Sequence, residues 1–410
     1  MSEYRFTYRL VLLSGLLIWI AGCTSVPLRE ARTAFYSHQF QKAEVSLSKP
    51  EEFSNRDKLL LFMEKGLILH HVGKYEDSVK EFLNASYLIK KQDVISVSQQ
   101  AASLVTTEWI TEYKGEYSER LWVHSYLMMN YLLLNKYEDA LVEAKQALRL
   151  MEQYPIALSD DYFTRALIAL CYEILGENND AYIEYKKLNE AIPDDTAIAE
   201  KLYRLAVKLG FHDDAKRYKG FVSKEKLQDA AAELILFAGI GNAPKKIAGN
   251  IIIPPTIRIS FPQYQYQEPD MAEITVSESS QNLLPMMVVR TSVDNVCRAS
   301  LSHRASKIMI KEAARAAVKE TLARAVESRN HELVGALFRA VLFITEEPDT
   351  RSWETLPASL YLLRFPLVPG THSLNITISR QDGRQIENIA LPVITLSPGQ
   401  KGFHSIRVTD

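Results

Sequence analysis

The spacing of apolar residues along the chain changes near residue 228. Before this point apolar residues recur every three to four positions, the spacing of amphipathic helices, and short polar turns divide the helical stretches. Beyond it the apolar runs shorten and resemble strands punctuated by glycine and proline. These runs are Leu234 to Ala238, Ile247 to Ile253, Ile257 to Phe261 and Ile274 to Val276. The pattern predicts a helical domain over residues 28–225 and an α+β domain over residues 228–410.

Two helices interrupt the strands of the second domain. Asp294 to Glu327 is rich in alanine and reads as one long helix, and a second helix is predicted from Leu333 to Ile344. After Pro357 the strand pattern returns, with apolar and polar residues alternating over 374–379. We therefore expect a β-rich, sandwich-like domain made of antiparallel strands, with the two helices packed on it.

The helical half contains an internal repeat. The run Gly73-Lys74-Tyr75-Glu76-Asp77-Ser78 recurs as Asn135-Lys136-Tyr137-Glu138-Asp139-Ala140, with weaker copies at 39–43, 176–181 and 210–215. A small residue opens the second helix of each copy, at Ala43, Ser78, Ala140, Ala181 and Ala215. These features resemble tetratricopeptide (TPR) repeats, whose period is about 34 residues. The resemblance implies a TPR-like α-solenoid with a concave inner surface, and a plain array of helical hairpins is the alternative.

The inner surface of such an array is lined by the first helix of each pair. It is expected to be more apolar than charged, and it lacks the Lys and Asn with which chaperone-type repeats hold a terminal carboxylate. An apolar groove either binds an amphipathic helix of a protein partner or is filled by a flanking segment of the same chain, and both remain open. The expected lining residues are Met63, Leu67, His70, Ser125, Met129, Leu132, Ala166, Leu170, Glu173, Glu200 and Arg204.

The segment from Asp93 to Arg120 interrupts the repeat period. It has a helical pattern of its own and ends in the aromatic and charged run Tyr113-Lys114-Gly115-Glu116. This end is interpreted as a loop that plugs the groove or as a contact surface. An ordinary loop capped by Gly115 is the simpler alternative.

The amino end carries a second resemblance. An apolar run from Leu10 to Ile20 follows Arg5 and Arg9 and ends in Ala21-Gly22-Cys23, which resembles the lipobox of bacterial lipoproteins. The run is too short to span about 30 Å of hydrocarbon as an anchor helix. The resemblance implies that residues 1–22 are a signal peptide, that Cys23 is lipidated and that residues 23–27 form a tether. Because Thr24 follows the cysteine, it also implies the outer membrane, with the body on its periplasmic face.

Composition narrows the class of protein. The chain of 410 residues is 47% hydrophobic and 24% charged, with a net charge of −2, which fits a folded protein and gives no electrostatic basis for nucleic-acid binding. His331 and Glu332 lack the second histidine of a zinc helix, and the sequence has no phosphate-binding loop. We therefore predict neither a metal nor a cofactor. Cys171 and Cys297 allow one disulfide or none, and no disulfide is favoured.

Several blocks together resemble an uncharacterised family of proteobacterial TPR-containing lipoproteins. They include Tyr113 to Glu116, Asn130-Tyr131-Leu132, Glu233 to Phe237 and Gly241 to Lys246, and the most specific is Asp349-Thr350-Arg351-Ser352-Trp353-Glu354-Thr355-Leu356-Pro357. The resemblance implies export and association with the cell envelope. It also implies a gene neighbourhood shared with lipoproteins that activate penicillin-binding proteins.

The block that begins at Asp349 has two interpretations. As a helix-to-strand corner, it would use an ion pair of Asp349 with Arg351 and the buried indole of Trp353, and this interpretation is favoured. As a site, Trp353 would present a flat face to a sugar or peptide and Glu354 would act as an acid or base. The sequence therefore predicts a non-enzymatic protein-interaction adaptor in envelope assembly or cell-wall synthesis. A carbohydrate- or peptidoglycan-binding module, or a cell-wall hydrolase, is the alternative.

Overall fold

A computed structural model describes residues 25–99, 112–193, 195–222, 232–253, 257–266, 271–329, 332–344 and 347–409. The predicted signal peptide, Cys23 and the boundary near residue 228 lie outside the described residues. No helix in the described part of the chain is both long and apolar enough to cross a bilayer.

The amino-terminal half is built from helical pairs. Within the described residues the first helices of the pairs are α1 (Val26–Tyr36), α3 (Lys58–His71), α5 (Tyr117–Leu133), α7 (Tyr162–Ile174) and α9 (Thr196–Leu209). Their partners are α2 (Phe40–Ser46), α4 (Tyr75–Gln99), α6 (Tyr137–Gln153), α8 (Asn178–Ala191) and α10 (His212–Tyr218). The predicted tether of residues 23–27 is too long at its carboxyl end, because Val26 and Pro27 already belong to α1. Proline suits the first turn of a helix, where its missing N–H has no intrahelical acceptor.

Small residues let the paired helices approach closely. A Cβ atom added to Gly66 of α3 would stand 2.8 Å from the ring of Phe82 in α4. The hydroxyl of Ser78 donates to the carbonyl oxygen of Gly66 over 2.6 Å, so the second helix is also hydrogen bonded to the first. Ala140 and Ala181 occupy the equivalent opening positions of α6 and α8 and are fully buried. The small residue recognised in the sequence therefore marks the crossing point of each pair.

The carboxy-terminal half is rich in strands. The strands that precede its helices are β1 (Ala232–Ile240), β2 (Lys246–Ile253), β3 (Ile257–Tyr264), β4 (Ala272–Glu278), β5 (Gln281–Leu283) and β6 (Met287–Ser292). The helices α11 (Val293–Arg329) and α12 (Glu332–Ile344) follow. The later strands are β7 (Ser359–Leu367), β8 (Gly370–His372), β9 (Leu374–Arg380), β10 (Gln385–Ala390), β11 (Ile394–Leu396) and β12 (Lys401–Val408).

Two four-stranded sheets form the sandwich. The inner sheet has the order β12-β1-β7-β6, in which β1 is parallel to β12 and antiparallel to β7. The outer sheet has the order β10-β9-β4-β5. The pairs β2-β3 and β8-β11 form separate two-stranded sheets. This architecture confirms the predicted order of a TPR-like helical array followed by a β-rich, sandwich-like domain with two helices.

The central strands of the inner sheet, β1 and β7, are buried on both faces. Every residue of β1 is buried, and its side chains alternate between two cores. Ile235 and Phe237 point into the core of the helical array, whereas Leu234 and Leu236 pack with residues of the outer sheet such as Ile376. A strand covered on both sides reads as a continuous apolar run, which explains why β1 shows no polar alternation. The molecule therefore has three layers, with the inner sheet between the repeats and the outer sheet.

The two helices of the second domain do not cover the sandwich. Helix α11 packs mainly against β3 and touches α5, β6 and β7 more lightly, and α12 packs against α11. The guanidinium of Arg258 on β3 lies 5.8 Å from the ring centre of Phe343, which joins the hairpin to α12. Both predicted helices therefore pack in the second domain, α11 on strands β3, β6 and β7 and α12 on α11. We call these two helices and the β2-β3 hairpin the arm, whose base, including Tyr264, Cys297 and Leu301, is part of the core of the helical array.

The close crossing of α3 and α4 can be tested by one methyl group. Gly66→Ala should lower the free energy of unfolding by about 2 kcal/mol, because the ring of Phe82 is fully buried and packed against Tyr126 and Trp353 and cannot move away. Urea denaturation measures the change. Gly220→Ala is the control, since no heavy atom lies within 4 Å of the added Cβ. Equal effects of the two substitutions would contradict the crossing described here.

Candidate functional site

The concave surface of the repeats is occupied by the second domain. The apolar residues predicted to line it are almost completely shielded from solvent: Met63, Leu67, Met129, Leu132, Ala166 and Leu170. Leu67 and Met129 lie beside Phe237 and Leu360 of the inner sheet. The sequence left open whether a partner or a flanking segment fills this groove, and the structure places the chain's own inner sheet there. The prediction that these residues form an open partner-binding groove is therefore corrected.

His70 connects the repeats to the inner sheet by a directed chain of hydrogen bonds. The Asn130 amide donates to the hydroxyl of Ser78, whose proton goes to the carbonyl of Gly66, so the Asn130 oxygen must accept. His70 Nδ1 therefore donates to Asn130 over 2.6 Å, and its Nε2 accepts from Ser405 of β12 over 2.8 Å. Burial lowers the pKa of His70 to about 4, although the contact with Asn130 opposes this shift. With this lowered pKa the imidazole is neutral near pH 7, and its Nε2 accepts the hydrogen bond from Ser405.

Ser125 is the other polar residue predicted for the middle of the groove. It is fully buried, and its hydroxyl lies 2.8 Å from that of Thr164 in α7. Asp161, directly before α7, contacts both Thr164 and Thr291 of β6. Ser125 therefore belongs to the packing between repeats and has no exposed function.

The indole of Trp353 lies inside the protein. Only 1% of Trp353 is exposed, and its rings pack against Phe82 of α4 and Tyr126 of α5. Its backbone N–H donates to the carboxylate of Glu119 over 2.8 Å. A buried indole cannot offer a flat face to a sugar. The structure therefore contradicts the use of Trp353 as a carbohydrate platform and agrees with the corner interpretation.

The charged residues around Trp353 pin the second domain to the first repeats. Arg351 pairs with Asp349 over 2.7 Å, as the corner interpretation expects, and also with Asp57 at the start of α3 over 3.0 Å. Glu354 pairs with Arg32 of α1 over 2.6 Å. Burial raises the pKa of Glu354, whereas the charge of Arg32 opposes the shift. With its carboxylate held by Arg32, Glu354 has a structural role in place of the acid or base role considered for it.

Glu64 is the most enclosed carboxylate of this junction. It is fully buried in α3 and accepts hydrogen bonds from the Arg32 guanidinium at 2.8 Å, the backbone N–H of Glu354 at 3.1 Å and both the N–H and hydroxyl of Thr355. A buried carboxylate is tolerated when charge-assisted hydrogen bonds satisfy its oxygens. Glu64 therefore fixes the helix and the Asp349 block to each other.

The interrupting segment ends as a contact surface. Glu116 is buried and pairs with Lys246 of β2 and with Arg304 of α11, each at 2.6 Å. Burial alone would raise the pKa of Glu116, but the two cations overcome it and hold the pKa at about 2. Tyr113 is also buried and donates to Glu119. The sequence left open whether this end of the segment is a plug, a contact surface or an ordinary loop. The structure shows a contact surface, which meets the second domain.

One part of the groove stays open, at its carboxyl end. A cleft of about 180 Å³ lies between helices α7 and α9 and the end of the inner sheet where β1, β6 and β12 begin. Glu173, Glu200 and Arg204 of the predicted groove line it. The other charged residues of its wall are Lys201, Glu233, Arg364 and Lys401. This mixed-charge cleft is the candidate functional site, because charged side chains from the repeats and from the inner sheet converge on it.

Arg364 is the centre of the cleft's charge network. Its guanidinium donates to Glu173 at 2.9 Å and also to Glu233, while Lys201 and Lys401 lie 3.0 and 3.4 Å from Glu173. Burial would raise the pKa of Glu173, but these three cations together hold that pKa well below its ordinary value. The pKa of Lys201 is lowered by burial and by the nearby Arg364. The cleft thus holds ionised carboxylates among a slightly larger number of cationic side chains.

Sequence reasoning missed four charged residues of this cleft, namely Lys201, Glu233, Arg364 and Lys401. The available signal was a charge within an otherwise apolar strand: Arg364 in Leu360–Leu367 and Glu233 at the start of β1. A charge in a strand buried on both faces needs a partner. The sequence does not show that Arg364 meets Glu173, which lies 191 positions away.

The remaining candidate chemistry is sparse in the described part of the chain. It contains no cluster of three or more His, Cys, Asp or Glu side chains able to hold a metal ion. Cys171 and Cys297 are both buried and unpaired, as favoured from the sequence. Burial raises the pKa of both thiols well above the ordinary range.

Comparison with known proteins yields no family. No protein-family model matches the chain, and no curated protein matches it in sequence. Among solved structures, MamA protein is similar at a TM-score of 0.34 with 12% identity, covering 48% of this chain and 88% of that one. The apo form of RapI has a TM-score of 0.36 and 15% identity, covering 49% of this chain and 54% of that one. Similarity at this level carries no functional argument.

The role of Glu64 can be tested without changing side-chain volume. Glu64→Gln should lower the free energy of unfolding by about 3 kcal/mol, because the amide removes one acceptor oxygen beside Arg32 and leaves buried donors unpaired. Chemical denaturation measures the loss. Glu44→Gln is the matched control, since Glu44 pairs with the half-exposed Lys74 and should cost less than about 1 kcal/mol. Similar losses would contradict the assigned role.

The His70 chain predicts a specific pH dependence. Since the pKa of His70 is about 4 in the folded state and near 6.5 when unfolded, the unfolded chain binds the proton more tightly between these values. The free energy of unfolding should therefore fall as the pH drops from 6.5 towards 4. In His70→Gln the fall between pH 7 and 4.5 should be smaller by about 2 kcal/mol. Parallel curves for the two proteins would rule out this assignment.

Proposed function

We propose that this chain is an outer-membrane lipoprotein whose body lies on the periplasmic face and acts as a non-enzymatic adaptor for a protein partner in envelope assembly or cell-wall synthesis. The lipobox-like sequence ending at Cys23 supports the anchor, and the resemblance of the Asp349 block to envelope lipoproteins supports the cellular setting. Two or three acyl chains on Cys23 would hold the body at the membrane more firmly than the marginal binding given by one chain.

The observation that carries the adaptor proposal is the open cleft at the end of an otherwise filled groove. TPR-like arrays commonly bind through their concave surface, but here the inner sheet covers it from His70 to Leu170. At Glu173 and Arg204 the cover ends and charged side chains meet solvent. The repeats therefore serve as a scaffold for the second domain, and the partner contact is expected where both meet.

The size and charge of the cleft define the kind of partner. Its volume of about 180 Å³ is smaller than the roughly 300–1,000 Å³ typical of small-molecule sites, and it suits one side chain or chain terminus of a protein. Its walls hold four cationic side chains and three carboxylates. An acidic side chain or terminal carboxylate complements this excess of positive charge, and the rim around Met286 would contact the adjoining residues.

Site-specific photocrosslinking tests the adaptor function. A photoreactive amino acid at Met286, a partly exposed residue of the cleft rim, should give one dominant adduct with another envelope protein in cells. The adduct should fall about fivefold or more in Arg204→Gln and Lys401→Gln, because each removes a cation from the cleft. Immunoblotting and mass spectrometry measure the yield and identify the partner.

Matched controls separate a specific contact from random capture. Lys80→Gln removes an exposed cation of α4, far along the array from the cleft, and should leave the adduct unchanged. The photoreactive group at Tyr87, which is 70% exposed on the same helix, should not give this adduct. Cys23→Ser removes the site of acylation, so it should mislocalise the protein and reduce the yield. Adducts that are equal from both positions, or insensitive to Arg204 and Lys401, would reject the proposal.

A further inference from the structure

The arm exposes large apolar side chains and buries an ion pair, in addition to the buried apolar stripe of α11 that includes Leu301, Ile308 and Ala323. On α11, Glu312 and Arg315 are each only 1% exposed and pair at 2.6 Å, whereas Ile310 is 72% exposed and Leu322 is 47% exposed. A helix on a water-facing surface normally buries its apolar stripe and exposes its charges. This arrangement instead suits an apolar environment outside the arm.

Helix α12 likewise exposes apolar side chains. Its sequence is apolar except for Glu332, Gly335 and Arg339, yet none of its described side chains is buried, and Leu337 is 56% exposed. Its arginine points to the neighbouring helix, since Arg339 pairs with Glu327 over 2.8 Å. The contact between α11 and α12 therefore includes an ion pair, and the outward surface of α12 is apolar.

The β2-β3 hairpin extends the apolar surface. Ile251, Ile252 and Ile253 are consecutive and are 42%, 59% and 46% exposed. Successive residues of a strand point to opposite faces, so both faces of this strand end present isoleucine to solvent. Exposed apolar surfaces of this extent in a folded protein mark a contact with a membrane or another protein.

The charge of the arm favours an anionic surface as its occupant. Strands β2 and β3 with helices α11 and α12 contain eleven Lys and Arg residues against five Asp and Glu, in a chain whose net charge is −2. Lys246 and Arg304 pair with Glu116 of the body and Arg315 pairs with Glu312. The eight other cations still exceed the four other carboxylates, so a second copy of the same arm would be repelled. A bilayer with anionic headgroups offers apolar interior and complementary charge at once.

The arm also joins the body beside the predicted lipid anchor. Arg32 of α1 donates to the carbonyl of Ser352 over 2.7 Å, only eight positions after the end of α12. Cys23 precedes Val26 by three residues, which span at most about 11 Å. An acyl chain on Cys23 would therefore enter the membrane at the end of the molecule that carries α1 and the base of the arm.

We propose that the arm formed by the β2-β3 hairpin, α11 and α12 is a second membrane contact, which lies in the interface of an anionic bilayer and orients the tethered body. At thirteen residues α12 is too short to cross the hydrocarbon core, so it lies along the surface with its apolar side chains inserted. This contact is independent of the partner cleft, and a chain without acyl groups can test it.

Flotation with lipid vesicles tests the proposal. The chain from residue 23 with Cys23→Ser, which no acyl group can modify, should float with vesicles of phosphatidylethanolamine and phosphatidylglycerol at 3:1. Binding to phosphatidylcholine vesicles should be several-fold weaker, because the basic arm loses its counter-charge. Leu337→Glu should reduce flotation by roughly tenfold or more, since a charge replaces an inserted leucine. Ile156→Glu, at a site 73% exposed on the repeats, should have no effect.

A fluorescent label gives an independent measurement of insertion. In the Cys23→Ser chain the remaining Cys171 and Cys297 are buried, so a polarity-sensitive dye reacts selectively with Leu337→Cys or Ile156→Cys. The emission at position 337 should shift to shorter wavelength on anionic vesicles, and that at position 156 should not.

Three outcomes would overturn the proposal. They are an absence of flotation, flotation that Leu337→Glu does not change, and equal dye shifts at positions 337 and 156. Light scattering after gel filtration distinguishes the other occupant, because a dimer that Leu337→Glu dissociates, without vesicle binding, would assign the surface to a second copy. Unfolding curves of the substituted proteins must match the parent, which is expected for exposed positions.

Discussion

The fold depends on buried carboxylates that the repeats cannot satisfy by themselves. Glu64, Glu119 and Glu173 lie on the first helices of three successive pairs, and each receives hydrogen bonds from the second domain. Taking an ionised carboxylate out of water costs several kcal/mol unless donors replace the lost hydration. Without the second domain these groups would be left with fewer partners on the concave surface. The helical array and the β domain are therefore one structural unit in energetic terms.

This dependence reverses the usual use of a repeat array. A concave surface that binds partners must be stable when empty, whereas this one carries polar groups placed to meet fixed atoms of the inner sheet, such as Ser405 and Arg364. The inner sheet in turn needs cover on both faces, because β1 has no polar side for water. The second domain supplies hydrogen-bond partners to the polar groups of the repeats, and the repeats cover one face of the inner sheet. New contacts are then expected only where this mutual cover stops, at the cleft and on the arm.

Local patterns in the sequence were sufficient to predict the helices and strands. They did not show which of these elements contact each other. The period of apolar residues and the small residue at Ser78 or Ala140 predict the helical pairs, because both follow from close contacts within one pair. The facing of Leu67 and Met129 towards the inner surface was also predictable. Their occupant was not, since Arg364 and Thr355 become partners of Glu173 and Glu64 only through contacts nearly 200 or more positions apart. In Asp349 to Pro357 the corner was recognisable, but its second set of partners on α1 and α3 was not.

Buried charged side chains are arranged differently in the body and in the arm. In the body, charges enter the interior to join two domains. In the arm, Glu312 pairs with Arg315 within α11, while Ile310 and Leu337 are exposed. Burying an ion pair in preference to leucine is unfavourable for a unit surrounded by water, because apolar burial is the main stabilising term. The arrangement becomes favourable when the outside is itself apolar, which is the physical reason for placing the arm against lipid.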